Sequence, residues 1–269
     1  MVARPQRTHA QPYELTYDVR ISAPLTAAAA TWVIGSELAK PHLTTDHCRW
    51  CDRAPDGRDT LNPIDAGVRR ALLWRDTGTG DLLSHVAAYG LVPLAAAGTL
   101  ALAQWHEGTL HGLTVDLLIV LEASALALAA SQIVKFSTAR PRPFVHARDA
   151  MGRDPAAGSS DDNVSFYSGH SSAVFAVAVA AGTVACMRGY RWAHGVWIAG
   201  LALAAGTAYL RIASDRHYFS DVIVGSVVGA GLGFAVPWLL HSRRAPLQPA
   251  PTISRVPGGA LLTLTWVSR

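Results

Sequence analysis

Three short stretches of this 269-residue chain concentrate the side chains that could do chemistry. They are Lys135-Phe-Ser-Thr-Ala-Arg-Pro-Arg142-Pro143, Ser168-Gly169-His170 and Arg211-Ile-Ala-Ser-Asp-Arg-His217-Tyr-Phe-Ser-Asp221. A phosphoryl group in transfer spreads negative charge over its equatorial oxygens, so fixed cations and amide donors stabilise the transition state. Lys135 offers a point charge, and Arg142 and Arg211 offer planar forks that match phosphate oxygens two at a time. Gly169, at an expected helix start, lets backbone amides approach an anion, and Ser168 adds a hydroxyl donor. His170 stands where it can protonate a leaving oxygen and later activate water. His217 and Asp221 are four residues apart and so share a helix face. A carboxylate bonded to one ring nitrogen would fix the tautomer and free the other nitrogen as a nucleophile. The expected reaction is in-line attack by His217, giving a phosphohistidine that water, activated by His170, hydrolyses. Taken singly, each group has a plainer reading: cations at a membrane edge, a helix cap, a surface ion pair. Their conjunction, in this order, selects the chemistry.

The elements that must position these groups are apolar helices. Charged residues make up 16% of the chain, against roughly 25% in an average soluble domain. Six stretches approach the about 17 to 22 residues that a bilayer core requires. They run from about Ile21 to Ala39, His85 to Trp105, Thr114 to Val134, Ser171 to Met187, Trp192 to Leu210 and Asp221 to Leu240. Segments such as AVFAVAVAAGTVAC show almost no polar face, unlike the amphipathic helices of a soluble protein. The expected fold is therefore all-α, a polytopic membrane helical bundle of about six transmembrane helices. It divides into a cytoplasmic segment 1–20, a six-span domain 21–241 and a Pro-rich cytoplasmic tail 242–269. Residues 1–20 lack a signal peptide's apolar core, so the first span reads as a retained anchor. Pro141 and Pro143 push the residues before them out of helical geometry, which turns Arg142 back toward the site.

Basic residues near the spans set the orientation. Arg4, Arg7, Arg20, Arg188, Arg191, Arg243 and Arg244 fall on one side of a six-span chain, which should be cytoplasmic. Every catalytic candidate then falls on the outer side. The net charge of +4 suits anionic lipid, and no dense basic stripe suggests nucleic acid. Arg140 and Arg216 read as solvated surface cations, with a second phosphate or a headgroup as the alternative. The polar segment from Phe144 to Phe166 should hang over the site. Its Asp161-Asp162 pair lacks the companions of a metal cluster, and no metal or cofactor is expected. Cys48 and Cys51 admit a disulfide, or with His42 and His47 a zinc site. Cys186 is expected to be buried, and Glu122 should face the bundle interior, because a lipid-facing carboxylate is costly. The alternating Leu262–Trp266 segment admits a short strand or a loosely membrane-associated segment.

The three motifs resemble the signature of the type 2 phosphatidic acid phosphatase, or lipid phosphate phosphatase, superfamily. That signature is Lys-x6-Arg-Pro, then Pro-Ser-Gly-His, then Ser-Arg-x5-His-x3-Asp. The resemblance spans about residues 80 to 240 and assigns functional roles to Lys135, Arg142, Ser168, Gly169, His170, Arg211, His217 and Asp221, with His217 as nucleophile. Tyr167 stands in place of the signature's Pro, and Leu210 in place of its Ser. The implied protein is a metal-independent phosphatase of a bacterial-type inner membrane, its site facing the periplasm or exterior. Its substrate would be a lipid phosphate or diphosphate such as undecaprenyl pyrophosphate, phosphatidic acid or phosphatidylglycerophosphate. Membrane lipids are its other expected partners; the sequence is silent on oligomeric state. The rival readings are a phosphotransferase on the same scaffold, a soluble acid phosphatase or vanadate haloperoxidase, and a non-catalytic lipid-phosphate binder.

Overall fold

The computed structural model describes residues 13–107, 110–150, 159–244, 247–256 and 259–268. Among them, five helical segments are long and apolar enough to cross a membrane: Thr77–His106, Gly112–Asp149, Gly169–Arg188, Ala193–Ala213 and Phe219–Leu240. These are the second to sixth expected spans. The first is also a helix, α1 (Val19–Leu38), capped by Asp18, whose carboxylate accepts the Arg20 amide at 2.9 Å. Its Ala-rich sequence, interrupted by Pro24, leaves it less apolar than the other five.

After the short α2 (Lys40–Leu43), a loop leads to α3 (Pro63–Leu72), which Asn62 caps. The second span starts eight residues earlier than expected. It comprises α4 (Thr77–Val86), a π-helical turn (Ala87–Leu91) and α5 (Val92–Glu107). Asp76 caps it through the Thr79 amide at 3.0 Å. The polar first turns of α4 are tolerated because Asp81 faces cations rather than lipid. Then come α6 (Leu110–Thr138), α7 (Pro143–Ala150), α8 (Gly169–Arg188), α9 (Ala193–Ala213) and α10 (Phe219–Leu240). Two small antiparallel sheets complete the fold. One pairs β1 (Glu14–Leu15) with β2 (Arg243–Arg244), and the other is a hairpin of β3 (Leu247–Val256) and β4 (Gly259–Ser268). The expected strand around Leu262 is thus half of a hairpin.

Helix α8 is the central post, buried along nearly its whole length and packed by α5, α6, α9 and α10. It ends at Gly189, whose φ of +78° suits glycine. Small residues let α10 approach it closely. A Cβ on Gly225, Gly229 or Gly233 would lie 2.5, 2.1 or 2.6 Å from the backbone oxygens of Ser168, Ser172 and Ala176. Such close small-residue contacts suit helices that meet inside a membrane. Gly229→Ala should therefore cost about 1–3 kcal/mol, because backbone rather than a flexible side chain must yield. A lowered thermal midpoint in detergent would show it. Gly231→Ala is the control, since no atom lies within 4 Å of its added methyl.

At the end of the bundle away from the three motifs, Arg188 is buried rather than free beside lipid. It donates to Asp116 at 2.8 Å and to the carbonyls of Tyr13 and Gly112 at 3.0 Å each. It therefore drops out of the orientation count, while Arg20, Arg191 and Arg243 remain exposed there. Arg4 and Arg7 lie outside the described residues. Glu122 is fully buried, as expected, and its partner is His241, 3.2 Å away and stacked on Tyr17. Cys186, by contrast, is exposed near the end of α8 rather than buried.

Candidate active site

The three motifs meet at one end of the bundle. Helix α6 ends at Thr138, and Ala139, with φ of +43°, turns the chain sharply. Residues 139–142 are non-helical, as the prolines demanded, and Pro143 opens α7. Lys135, in the last turn of α6, Arg142, Gly169, His170, Arg211 and His217 line one cavity of about 420 Å³. The segment after Phe144 is not a plain loop over the site. It begins as α7, and residues 151–158 lie outside the described residues.

Six of the eight expected residues therefore share the cavity; the other two stand behind it. Ser168 is fully buried and caps α8, its Oγ accepting from the Ser171 amide at 3.3 Å and lying 3.0 Å from the Ser171 Oγ. It was expected to donate to phosphate, and here it fixes the helix that carries Gly169 and His170. A Cβ on Gly169 would lie 3.1 Å from the Lys135 ammonium and 3.2 Å from the Ser131 hydroxyl, so glycine keeps the approach to Lys135 open.

The His217–Asp221 contact needs a correction. His217 Nδ1 lies 2.8 Å from the Ser165 carbonyl but 3.8 Å from Asp221 Oδ2. The backbone carbonyl, not the carboxylate, accepts the Nδ1 proton and leaves Nε2 for the cavity. Asp221 acts one step behind. Its Oδ2 accepts the Ser165 hydroxyl at 2.6 Å and the Tyr218 amide at 3.0 Å, holding both sides of the histidine's cradle. Burial, then the charges of Arg142, Arg211 and Lys135, hold the His217 imidazole well below the usual histidine range. This setting favours the neutral imidazole.

Arg140 is likewise no surface cation. It is fully buried, donating to Asp52 at 2.8 Å, Asp65 at 3.0 Å, Asp221 at 2.6 Å and the Ser220 hydroxyl at 2.9 Å. Trp50 and Tyr218 contribute ring faces 4.7 and 4.2 Å away. Arg216 does line the cavity, half-buried, with Asp81 at 2.8 Å and Asp161 at 3.5 Å.

Carboxylates occupy several of the cavity's cations. Arg211 donates to Asp81 at 2.7 Å and to Ser84 at 2.6 Å. Arg142 donates to the Asp161 backbone carbonyl at 2.7 Å and pairs with its carboxylate at 3.1 Å, and Lys40 adds a 2.5 Å contact. Burial opposes the charge on Asp161, but Arg142 and Lys40 outweigh it and hold the carboxyl well below its usual range. Among the described residues Lys135 makes no salt bridge. Asp162 pairs with Arg148 at 2.9 Å, so the acidic doublet braces the site.

Sequence reasoning missed Lys40, Asp81 and His85 on the cavity wall. The one available signal was the four-residue spacing of Asp81 and His85 at the start of a span. The loop before α3 is tied to the same end by the Trp50 amide, which donates to the Thr138 carbonyl at 3.0 Å. In that loop Cys48 and Cys51 form a disulfide and so are not available as zinc thiolates.

Apolar spanning helices with a cation-lined, three-histidine cavity at one end define a polytopic membrane protein whose cavity has the charge to suit an oxyanion. Residues 116–245, which contain all three motifs, match the family model described as the PAP2 superfamily, and this stretch of the chain is assigned to that superfamily. Among solved structures it is similar to the transmembrane PAP2-type phosphatidylglycerolphosphate phosphatase from Bacillus subtilis. The identity is 15% and the TM-score 0.47, over 81% of this chain and 94% of that one.

Proposed function

We propose that this protein is an integral-membrane phosphatase that hydrolyses a lipid phosphate or lipid diphosphate through a phosphohistidine on His217. The observation that carries the reading is the convergence of Lys135, Arg142, Gly169, His170, Arg211 and His217 on one cavity. In the proposed reaction, the substrate's phosphoryl oxygens displace Asp81 and Asp161 from the arginines and take the open charge of Lys135. His217 Nε2 attacks phosphorus in line while His170 protonates the departing oxygen. Water, deprotonated by His170, then cleaves the phosphorus–nitrogen bond.

A lipid substrate is favoured because Val33 of α1 and Leu128 of α6 form an apolar wall beside the cations. A headgroup could bind at the charged end while its chain lies among the helices. Five cationic side chains line the cavity, namely Lys40, Lys135, Arg142, Arg211 and Arg216, a setting that repels a metal ion. Two features support an outward-facing site. The disulfide at the cavity end suits an oxidising compartment, and exposed Arg20, Arg191 and Arg243 suit a cytoplasmic position for the opposite end.

The test is phosphate release by detergent-purified protein, with EDTA present, across lipid monophosphates and diphosphates. Turnover is expected to persist in EDTA and to be inhibited competitively by orthovanadate, which mimics the phosphoryl group. Turnover that EDTA abolishes and a divalent cation restores would overturn the metal-free mechanism.

A further inference from the structure

A third imidazole enters the cavity from α4, outside the stretch that matches the family model. His85 Nδ1 lies 3.0 Å from His170 Nε2, with ring centroids 4.6 Å apart and planes at 73°. On its far side His85 Nε2 is 3.5 Å from Asp81 Oδ1. The π-helical turn that follows brings Tyr89 against both rings, stacked on His85 at 5.8 Å and edge-on to His170 at 5.1 Å. Two imidazoles in direct hydrogen bond, one also facing a carboxylate, form a chain along which a proton can move.

We propose that His85 is a positioning residue and proton relay for His170, with Asp81 as its anchor. The proposal rests on the acid–base role assigned to His170 above. His85 holds Nε2 of His170, so Nδ1 serves the substrate. Once the anionic phosphate is bound beside it, the pair carries three ring protons and one positive charge. As the P–N bond to His217 forms and the P–O bond breaks, the Nδ1 proton of His170 passes to the leaving oxygen. The proton between the rings then rests on His170 Nε2, both rings end neutral, and His85 keeps Nε2–H toward Asp81. In the second half water gives a proton to His170 Nδ1, its oxygen bonds to phosphorus, the P–N bond breaks and the pair regains its charge. Asp81 is shared with Arg211 and Arg216, and Asp161, Lys135 and His217 also face this pair across the cavity. The charge on the relay is therefore sensitive to occupation of the phosphate site.

The test compares wild type, His85→Gln and His85→Ala on two substrates that differ in leaving group. An alkyl lipid phosphate leaves as a poor alkoxide and needs the acid; p-nitrophenyl phosphate leaves without one. A positioned acid is worth about 10²–10⁴-fold, so loss of its relay should lower kcat on the alkyl substrate about 10- to 100-fold, with KM little changed. The pre-steady-state burst of p-nitrophenol should fall by no more than about threefold, by the same leaving-group argument. Added imidazole should restore part of the His85→Ala rate, because His85 is half-exposed to the cavity. Equal losses on both substrates, a rise in KM alone, or no change in either variant would overturn the relay. His217→Ala runs alongside: if it matches wild type, the phosphatase reading fails first and takes the relay with it.

Discussion

His217→Ala is expected to leave a folded protein without measurable turnover, a loss of about 10⁴-fold or more, as removal of an enzymic nucleophile typically gives. The geometry allows no substitute. His170 is turned by its bond to His85, and the carboxylates Asp81 and Asp161 on the cavity wall are already paired with cations. Binding should survive, because Lys135, Arg142 and Arg211 are untouched, so the variant should still bind orthovanadate. The pH dependence follows from the cradle. Buried among three cations, the imidazole titrates below the usual histidine range, so its neutral, nucleophilic form persists as pH falls through the range where an exposed histidine protonates. The acid limb of kcat/KM assigned to His217 should accordingly lie below pH about 6.5, the ordinary histidine value. Wild-type rates in His217→Ala would remove the phosphohistidine mechanism, and an acid limb above the ordinary value would contradict the neutral cradle.

How much of this was legible in the sequence depends on the range of the interactions. Apolar runs of bilayer length are local, and α6, α8, α9 and α10 lie where those runs placed them. The motifs were legible because phosphate chemistry demands particular side chains, and Pro141 and Pro143 announced the break after α6. What escaped notice depends on contacts across the fold. Ser165 acts on His217 through a backbone carbonyl, which has no residue-specific signature. His85 lies 85 residues from the histidine it touches. Arg188 has the sequence context of a topological marker, but its partner Asp116, 72 residues away, holds it in a buried ion pair. Arg140 looked like any juxtamembrane cation, because the three aspartates that surround it come from a loop, α3 and α10.

That hub yields the second large effect. Arg140→Met should destabilise the protein by about 3–5 kcal/mol, the scale for breaking a buried ion pair from one side. Methionine fills comparable space, so the loss is not chiefly a cavity. It arises because Asp52, Asp65 and Asp221 would face one another in a dry pocket between Trp50 and Tyr218 with no compensating charge. Arg140→Lys should rescue only part of it, since one ammonium cannot reproduce three nitrogens donating to three carboxylates. Activity should fall even in molecules that remain folded. Without Arg140, Asp221 loses its 2.6 Å partner and is free to shift away from the Ser165 hydroxyl, releasing the carbonyl that orients His217. Acidification separates these causes. Protonating the stranded aspartates relieves their repulsion, so the variant's thermal midpoint should recover relative to wild type as pH falls, whereas a packing defect would show a constant difference. A constant deficit across pH would reduce Arg140 to a packing residue and detach the loop before α3 from His217.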